Sequence, residues 1–342
     1  MVFNSRDSRV NIDSLESVCG HTYSDSFSFD HFIDAYKGMG LQGSCLYEAI
    51  DILRTVRQKK IPIYLGITSN IGTCGLRESL SYLLRNGHVA ALAATAGAVE
   101  EDVMKTFGDF KIGTYQNDDH SLFKSYISRT GNILIDNKIY FQLKLLLKSL
   151  NYQLWLKYWK NGQALSDTDY IFQIGCMMDK LDIPRRSESF VYQAYKNNIP
   201  IYCPALMDGA IGDNLYLFTR ERRSLGFDSS LVVLDHCQST INLINQMQIS
   251  KKNHDDVCLL AIGGSVPKHM ICNSAIYIDG AKYCIYINTS SESEGSNAGA
   301  PVSEAITWGK VHPEARSVKI HAEASLVFPL LVAAAFQTWN ID

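Results

Sequence analysis

The chain has 342 residues, 46% of them hydrophobic, and a formal net charge of −3. Such a chain can bury a full core in one large or two smaller domains, which excludes a disordered protein. The small net charge excludes nucleic acid and anionic membranes as main partners, and the lack of an apolar leader or a long apolar run predicts a soluble, cytoplasmic protein.

The nine cysteines are scattered singly, and neither they nor the nine histidines form a close pair such as C-x-x-C or H-E-x-x-H. Metal sites and dithiol redox motifs need such close spacing. The pattern therefore favours buried, reduced thiols and predicts no catalytic metal.

Roughly the first 58 residues are interpreted as a helical N-terminal extension. They contain GMGLQG at residues 38–43, which satisfies G-x-G-x-x-G. That motif binds a dinucleotide when a strand precedes it, because the turn must aim a helix N-terminus at the pyrophosphate. Here apolar residues recur at helical spacing before the motif, so we interpret its glycines as a helix end and a turn.

From residue 60 onward, apolar runs rich in β-branched residues alternate with small-residue loops and helical stretches. Strands that are apolar on both faces and separated by helices indicate a parallel sheet covered on both sides. We predict an α/β domain over residues 59–342, with residues 117–140 as an insertion of loops and short elements. The predicted strands lie, in chain order, in IPIYLGITSN, VAALAATAGAVEE, IPIYCPALMDG, SLVVLD, VCLLAIGGSV, YCIYINTS and SVKIHAEA.

Four loops at the ends of these strands combine glycine with hydroxyls or a carboxylate: TSNIGTCG, TAGAVEED, MDGAIGD and IGGSVPKH. In parallel sheets, ligands bind at the carboxyl ends of the strands, where these loops would lie. Glycine lets backbone amides approach a ligand, hydroxyls donate to phosphate or ribose, and a carboxylate can hold an amine. Together the loops suggest a nucleotide and a cationic substrate, although turn chemistry alone would explain any one of them.

The stretch GSNAGAPVSEAITWGK combines a small-residue loop with a short predicted helix. Ser303 is predicted to cap this helix, and Glu304 and Trp308 lie four residues apart, hence on one face.

A lysine follows the predicted helix directly. Gly309 predicts the helix end just before Lys310. A lysine at such a junction, packed against the indole of Trp308, would be partly desolvated and could attack an imine or a carbonyl. On spacing alone, a surface lysine at a helix end is the simpler interpretation.

Seven blocks cover most of the chain from about residue 60 to 336: YLGITSNIGTCGLRESLSYLL, ATAGAVEEDVMK, RTGNILIDN, YCPALMDGAIGD, IGGSVPKHMICNS, INTSSESEGSNAGAPVSEAITWGK and VKIHAEASLVFPLLVAAAF. In content and order these blocks resemble the deoxyhypusine synthases. Because so many motifs in one order are highly specific, Lys310 is no longer interpreted as a surface lysine.

The resemblance implies a Rossmann-like α/β fold that assembles as a tetramer, with active sites between paired subunits. It implies a transferase that uses NAD to oxidise spermidine and takes the 4-aminobutyl group on an enzyme lysine as an imine. The group then passes to one lysine of the translation initiation factor 5A precursor. The hydride returns to the product imine, so NAD is regenerated within the cycle.

The resemblance also implies the site residues, position by position. The covalent lysine would be Lys310, and the acid/base histidine would be His269. The positions for the polyamine substrate would be Glu101, Tyr140, Asp213, Asn273, Gly295, Ser296, Asn297, Glu304 and Trp308. The positions for NAD would be Ser69, Asn70, Thr73, Thr95, Ala96, Gly97, Asp208, Gly264, Thr289, Ser290 and Glu323.

The loop before the lysine departs from the family pattern, which reads close to DGSDSGARPDEA where this chain has EGSNAGAPVSEA. Asn297 replaces a carboxylate that contacts the polyamine, and Ala298 replaces a serine hydroxyl. Losing a charge-assisted hydrogen bond costs about 1.5–3 kcal/mol. If the loss of the serine hydroxyl at Ala298 is added, the total loss of binding free energy reaches about 3–4 kcal/mol, which equals two to three decades in affinity or rate. Smaller departures are Glu294, Ser265, Ala98 and Glu323.

Two hypotheses follow. In the first, which we favour, the chain is a weakened paralogue that acts mainly as an activating subunit in a hetero-tetramer with an intact deoxyhypusine synthase, since a degraded copy can still supply half of a shared site. In the second, the chain is a self-sufficient enzyme. It could be a deoxyhypusine synthase that forms a homo-tetramer and tolerates Asn297 because Glu292 and Glu294 supply compensating carboxylates. It could also be a relative that uses another amine acceptor, as the homospermidine synthases do. An NAD-binding module without polyamine chemistry is disfavoured, because Lys310 and His269 would then have no role.

Overall fold

The computed structural model describes residues 12–23, 26–227, 232–254 and 256–337. The α-helices of this part of the chain are α1 (Phe29–Asp34), α2 (Leu41–Gln58), α3 (Ser69–Thr73), α4 (Arg77–Arg85), α5 (Ala96–Met104), α6 (Asp119–Lys124), α7 (Asn137–Lys157), α8 (Asp167–Lys180), α9 (Phe190–Lys196), α10 (Ala210–Ser224), α11 (His236–His254), α12 (Ser265–Ala275), α13 (Val302–Thr307) and α14 (Ala324–Phe336). The strands are β1 (Ile63–Ile67), β2 (Ala91–Ala94), β3 (Lys111–Ile112), β4 (Ile127–Thr130), β5 (Ile133–Asp136), β6 (Ile201–Tyr202), β7 (Cys258–Ile262), β8 (Ala281–Asn288) and β9 (Val311–His321). Short 3-10 helices lie at Ile12–Ser14, Ala35–Gly38, Trp159–Asn161, Arg186–Glu188, Ile276–Ile278 and Glu292–Glu294.

Six strands form one parallel sheet in the order β6-β2-β1-β7-β8-β9. Every residue of β1, β2 and β7 is buried, as expected for central strands covered on both faces. The predicted α/β class with helices on both faces of a parallel sheet is therefore confirmed. None of the described helices is long and apolar enough to cross a lipid bilayer.

Alternate residues of each strand face two separate apolar cores. Ile63, Leu65 and Ile67 of β1 face a core that includes α2, α4, α5, α7 to α10 and α14. Tyr64 of the same strand faces the other core, which is formed with α11, α12 and α13. Because side chains of a strand alternate between its faces, each strand anchors helices on both sides of the sheet.

The N-terminal helices pack on the sheet. Helix α2 contacts β9 and α14, and Arg316 of β9 donates to Glu48 at 2.7 Å and to Asp51 at 2.8 Å. In the GMGLQG stretch, Gly40 has a φ of +79° and is the N-cap of α2, so the interpretation as a turn between helices is confirmed. The division of the chain at residue 58 stays a prediction, since α2 shares its core with the sheet.

Residues 111–136 form a small three-stranded antiparallel sheet in the order β3-β5-β4, outside the main sheet. The predicted strand in SLVVLD is wrong for its described residues, 232–235. Leu234 forms only an isolated bridge with Leu165. In this bridge the carbonyl of Val233 accepts from Leu165 N at 3.1 Å, and it also accepts from Trp159 Nε1 at 3.2 Å, so the segment bonds to the residues that follow α7 and not to the main sheet. Residues 230 and 231 lie outside the described residues.

Candidate active site

A pocket of about 150 Å³ lies between α12 and α13 on the face of β8. It brings together five of the predicted site residues: Lys310, His269, Asn297, Glu304 and Trp308. The other lining residues are Lys268, Cys272, Tyr286, Ala300, Pro301 and Ala305. We call this cavity the lysine pocket.

Lys310 enters the lysine pocket from the amino end of β8, where its main-chain oxygen accepts from Ala281 N at 3.2 Å. Asn297 follows the carboxyl end of that strand, and α13 leads back along the sheet between them. The pocket therefore lies along the face of β8, whereas the general rule for parallel sheets places ligands at the carboxyl edge.

The end of α13 buries the lysine beside an indole. Gly309 has a φ of +69°, which turns the chain from the helix into β9. Lys310 is 8% exposed, and its Nζ lies 5.5 Å from the centroid of the Trp308 ring, a cation–π distance. At the other end of the helix, the prediction that Ser303 is the cap is wrong, because Pro301 is the N-cap.

Lys268 lines the same pocket, although the sequence gives it no role. It is 2% exposed, and its Nζ donates to the main-chain oxygens of Asn297 at 2.6 Å and Ala298 at 3.5 Å. The same nitrogen lies 3.9 Å from the centroid of the Tyr286 ring. Burial lowers the pKa of Lys268. Its position directly before His269 is the only signal in the sequence, and that spacing does not separate a buried lysine from a surface one.

His269 lies between the lysine pocket and a neighbouring cavity. The pKa of His269 lies below its ordinary value because partial burial, and then the charges of Lys310 and Lys268, disfavour the imidazolium. The histidine can therefore accept a proton near neutral pH. The neighbouring cavity, of about 290 Å³ between α11 and α12, is lined by His269 and the predicted Asn273, with Thr240, Ile244, Val266, Met270, Ser274 and Tyr277.

The predicted residues Glu101, Tyr140 and Asp213 belong to a different cluster, carried by α5, α7 and α10. Thr73 Oγ1 donates to Glu101 Oε2. Burial raises the pKa of Glu101 to about 7, and the Glu100 carboxylate adds to the rise. Burial also raises the pKa of Tyr140 to about 12, and the nearby charge of Glu101 contributes.

Glu100 joins this acidic cluster and holds the start of α10. Its Oε2 accepts from Ile211 N at 2.9 Å, and a Cβ on Gly209 would lie 2.8 Å from the same oxygen. Burial raises the pKa of Glu100, with smaller contributions from Asp213 and Asp208. The predicted Asp208 therefore lies in the acidic cluster, which consists of Glu100, Glu101, Asp208, Asp213 and Tyr140.

Most of the predicted NAD positions lie at the carboxyl edge of the sheet. Ser69 Oγ and Thr95 Oγ1 are 2.7 Å apart, which joins the loops after β1 and β2, and Asn70 Oδ1 accepts from Thr68 Oγ1 at 2.7 Å. Ala96 is buried and begins α5, followed by Gly97. Thr73 ends α3.

The loops after β7, β8 and β9 complete this edge. Gly264 precedes α12, Thr289 and Ser290 follow β8, and Glu323 caps α14 by accepting from Ser325 N at 2.9 Å. The predicted substrate residues Gly295 and Ser296 follow in the loop before α13, where Gly295 has a φ of +63°.

The residues at the carboxyl edge fit a dinucleotide. A Cβ on Gly97 would lie 2.5 Å from Ser69 Oγ, and a Cβ on Gly264 would lie 2.3 Å from Ala298 Cβ, so both positions need glycine for the close approach of neighbouring loops. The side-chain nitrogen of Asn288, at the end of β8, is buried without a hydrogen-bond partner among the described residues.

The lysine pocket and the acidic cluster belong to opposite sides of the sheet. Helices α12 and α13 pack in one core, whereas α5, α7 and α10 pack in the other. The compensating carboxylates predicted in SSESEG do not line the pocket: Glu292 is exposed, and Glu294 Oε1 accepts from Ser291 N at 3.0 Å in a capping box.

Comparison with known proteins finds deoxyhypusine synthases among the relatives of this chain. The family model described as deoxyhypusine synthase matches residues 31–335. The chain is 36% identical to the probable deoxyhypusine synthase of Pyrococcus furiosus over 320 residues, which covers 92% of this chain and 93% of the relative. It is 34% identical to that of Methanocaldococcus jannaschii, covering 94% and 97%. A crystal structure assigned to a deoxyhypusine synthase of Entamoeba histolytica superposes with a TM-score of 0.63 at 25% identity, covering 93% of this chain and 96% of the other.

Proposed function

The chain belongs to the deoxyhypusine synthase family, and we propose that it takes part in transferring the 4-aminobutyl group of spermidine to a lysine of the translation initiation factor 5A precursor. The observation that carries this proposal is the assembly of Lys310, His269, Glu304 and Trp308 around one pocket. We place the reaction in the cytoplasm.

Lys310 is the nucleophile in this proposal. Its neutral amine attacks the oxidised carbon of the substrate, 1,3-diaminopropane leaves, and the 4-aminobutyl group stays on Nζ as an imine. His269 can take up the proton that the lysine loses, since its imidazole is neutral near pH 7 and lines the same pocket. The indole of Trp308 and the carboxylate of Glu304 would receive the cationic end of the substrate.

Bound NAD would supply the acceptor for the hydride that leaves the carbon next to the secondary amine of the substrate. The residues that would hold it are the small and hydroxyl-bearing positions at the carboxyl edge, above all Ser69, Thr95, Gly97 and Gly264. Glu323, at the end of β9, would accept from a ribose hydroxyl.

A second subunit completes the site in our proposal. Within one chain, the acidic cluster and the lysine pocket are built from helices on opposite sides of the sheet. A spermidine molecule carries several positive charges, and Glu304 is the one carboxylate among the described residues that line the lysine pocket. The acidic cluster of a neighbouring subunit would supply the missing negative charge.

We propose further that this chain is weak alone and activates an intact paralogue. The side-chain nitrogen of Asn297 is buried without a hydrogen-bond partner among the described residues, and Ala298 offers no hydroxyl. A self-sufficient enzyme is the second candidate. The retention of Lys310 in a buried position beside Trp308 favours it.

Deoxyhypusine formation tests the proposal. Purified precursor, radiolabelled spermidine and NAD would be incubated with this chain alone and then mixed with an intact family member. Weak turnover alone and strong stimulation of the intact enzyme, preserved in Lys310→Ala, would support the activating role. Robust turnover alone, abolished in Lys310→Ala, would identify a self-sufficient synthase. Absence of both labelled product and stimulation would overturn the proposal.

The shared site has its own test. Lys310→Ala and Asp213→Ala chains would be mixed under conditions that allow subunit exchange. If each site draws Lys310 from one subunit and Asp213 from another, the mixture recovers turnover that neither variant has alone. No recovery in a mixture proven to exchange subunits would contradict this arrangement.

A further inference from the structure

A lysine outside the lysine pocket joins two helices that carry predicted site residues. Lys105 is the C-cap of α5, one helical turn after Glu101. Its Nζ donates to the main-chain oxygens of Gly72 at 2.9 Å and Cys74 at 3.0 Å, at the end of α3. Neither the sequence motifs nor the proposed reaction gives this lysine a role.

The contact that Lys105 closes is tight. A Cβ on Gly72 would lie 2.8 Å from the main-chain oxygen of Ala98, so glycine lets α3 and α5 pack backbone to backbone. Thr73 lies between the two residues whose carbonyls accept from Lys105, and its hydroxyl donates to Glu101 Oε2. The two hydrogen bonds of the lysine therefore hold the chain on either side of the threonine that meets the carboxylate.

Glu101 needs these neighbours in order to carry a charge. It is half-buried, and burial raises its pKa to about 7, with the Glu100 carboxylate adding to the rise. The hydrogen bond from Thr73 and the positive charge of Lys105 act in the opposite direction. A protonated carboxyl group cannot form an ion pair with an ammonium group, so a further rise of this pKa would weaken Glu101 as a site for a cation. The other ionisable groups of the acidic cluster are Tyr140, Asp208 and Asp213.

We propose that Lys105 is a positioning residue that holds Thr73 against Glu101 and so keeps this carboxylate able to receive an ammonium group of the substrate. Lys105 acts in two ways, directly through its charge and indirectly through the end of α3 that presents Thr73. The inference deepens the proposed function, on which it rests for the identity of the substrate as a polyamine.

The titration of Glu101 tests this role. It would be followed by carbon NMR of isotope-labelled glutamate carboxyl groups in the full-length protein, with the Glu101 signal assigned by its loss in Glu101→Gln. Lys105→Met keeps the length of the side chain and removes its charge and its donors, and it is expected to shift the titration to higher pH. Lys111→Met is the matched control, because Lys111 is exposed and pairs with Asp109 at 3.0 Å, and it should leave the titration unchanged.

A double-variant comparison separates positioning from charge. Thr73→Val removes the hydroxyl that stabilises the ionised carboxylate and is expected to shift the titration in the same direction. Because Lys105 acts partly through Thr73, the shift caused by Lys105→Met should be smaller in the Thr73→Val background than in the wild-type background. Lys105→Gln also lacks the charge, and it serves as the test in both backgrounds if Lys105→Met fails to fold.

Spermidine binding shows the consequence for the substrate. Its dissociation constant would be measured by isothermal titration calorimetry at pH 7 and pH 8.5. Lys105→Met is expected to weaken binding by about threefold or more at pH 7, where less of Glu101 is ionised than in the wild type. The loss should be smaller at pH 8.5, because the carboxyl group is more fully ionised there in both proteins.

Three results would overturn the inference. They are a Glu101 titration unchanged in Lys105→Met, a shift of equal size with and without Thr73, and an equal loss of spermidine affinity at the two pH values. The NMR titration needs neither NAD nor turnover, so it is separate from the proposed function. A wild type that binds no spermidine would refute that function, and the titrations would still decide whether Lys105 positions Glu101.

Discussion

The ammonium nitrogen of Lys268 lies 2.6 Å from the main-chain oxygen of Asn297, in the wall of the pocket that also holds Lys310. The contact joins α12 to the loop before α13, two segments that sequence motifs treat separately. It also places a positive charge near His269, whose pKa is lowered by burial and by the two lysines.

Replacing Lys268 by methionine should raise the pKa of His269. Removing the charge of Lys268 removes one of the groups that oppose the imidazolium, while burial and Lys310 remain. The measurement is the titration of His269 followed by NMR, and the low-pH limb of any pH–rate profile should move to higher pH in parallel. Lys268→Arg keeps the charge and should leave the titration close to that of the wild type. Equal His269 pKa values in Lys268→Met and wild type would contradict the electrostatic role.

The stability of the fold should depend strongly on the buried ion pair between Arg77 and Asp102. Arg77 Nε donates to Asp102 Oδ1 at 2.7 Å, and the two side chains are 2% and 0% exposed. Asp102 also accepts from Phe190 N and Val191 N, at 3.2 and 2.9 Å, and so holds the start of α9. Asp102→Ala should lower the free energy of unfolding by about 3–5 kcal/mol, because it removes the buried partner of Arg77 and leaves this buried charge only the partly exposed Glu188, at 3.4 Å.

Urea denaturation followed by circular dichroism measures this loss. The matched control is Asp119→Ala, which breaks the ion pair with Arg129 on the surface, where both side chains are more exposed. That change should have a much smaller effect. Equal destabilisation by the two substitutions would contradict the view that burial makes the Arg77–Asp102 pair important for stability.

The pattern of strands was largely predictable from the sequence, because continuous apolar runs such as residues 258–262 mark strands buried on both faces. The prediction failed for SLVVLD, whose apolar letters do not reveal that Val233 bonds to Leu165 and Trp159. The composition of the lysine pocket was predictable in part, since Glu304, Trp308 and Lys310 are close along the chain. Lys268 and the separation of the acidic cluster were not, because they depend on which side of the sheet each helix packs.

Stability should depend on pH through Glu101. Its pKa in the folded protein is about 7, above the value of 4.5 expected in the unfolded chain, and burial is the main cause. The folded state therefore binds the proton more tightly, and the contribution of this group to stability falls as the pH rises from about 4.5 to 7. Glu101→Gln removes the titrating proton, so its stability relative to the wild type should be higher at pH 7.5 than at pH 5.

Chemical denaturation measures the free energy of unfolding of the variant and of the wild type at each of the two pH values. The difference between the two proteins at pH 5 is then compared with the difference at pH 7.5. Glu304→Gln, at an exposed position in the lysine pocket, is the control for exchanging a carboxylate for an amide. A relative stability of Glu101→Gln that is the same at both pH values would refute the buried, protonated state of Glu101.

A methyl group at Gly264 should weaken NAD binding more than one at Gly75. A Cβ on Gly264 would lie 2.3 Å from Ala298 Cβ, so the loop before α13 must move away from the carboxyl edge of the sheet. A Cβ on Gly75 would meet nothing within 4 Å, and neither glycine has a positive φ. Gly264→Ala should therefore raise the dissociation constant of NAD by about tenfold or more, equivalent to about 1.4 kcal/mol, and Gly75→Ala should leave it near the wild-type value. Calorimetric titration of both variants with NAD measures the difference, and equal affinities would show that the approach of Gly264 to Ala298 does not shape the NAD site.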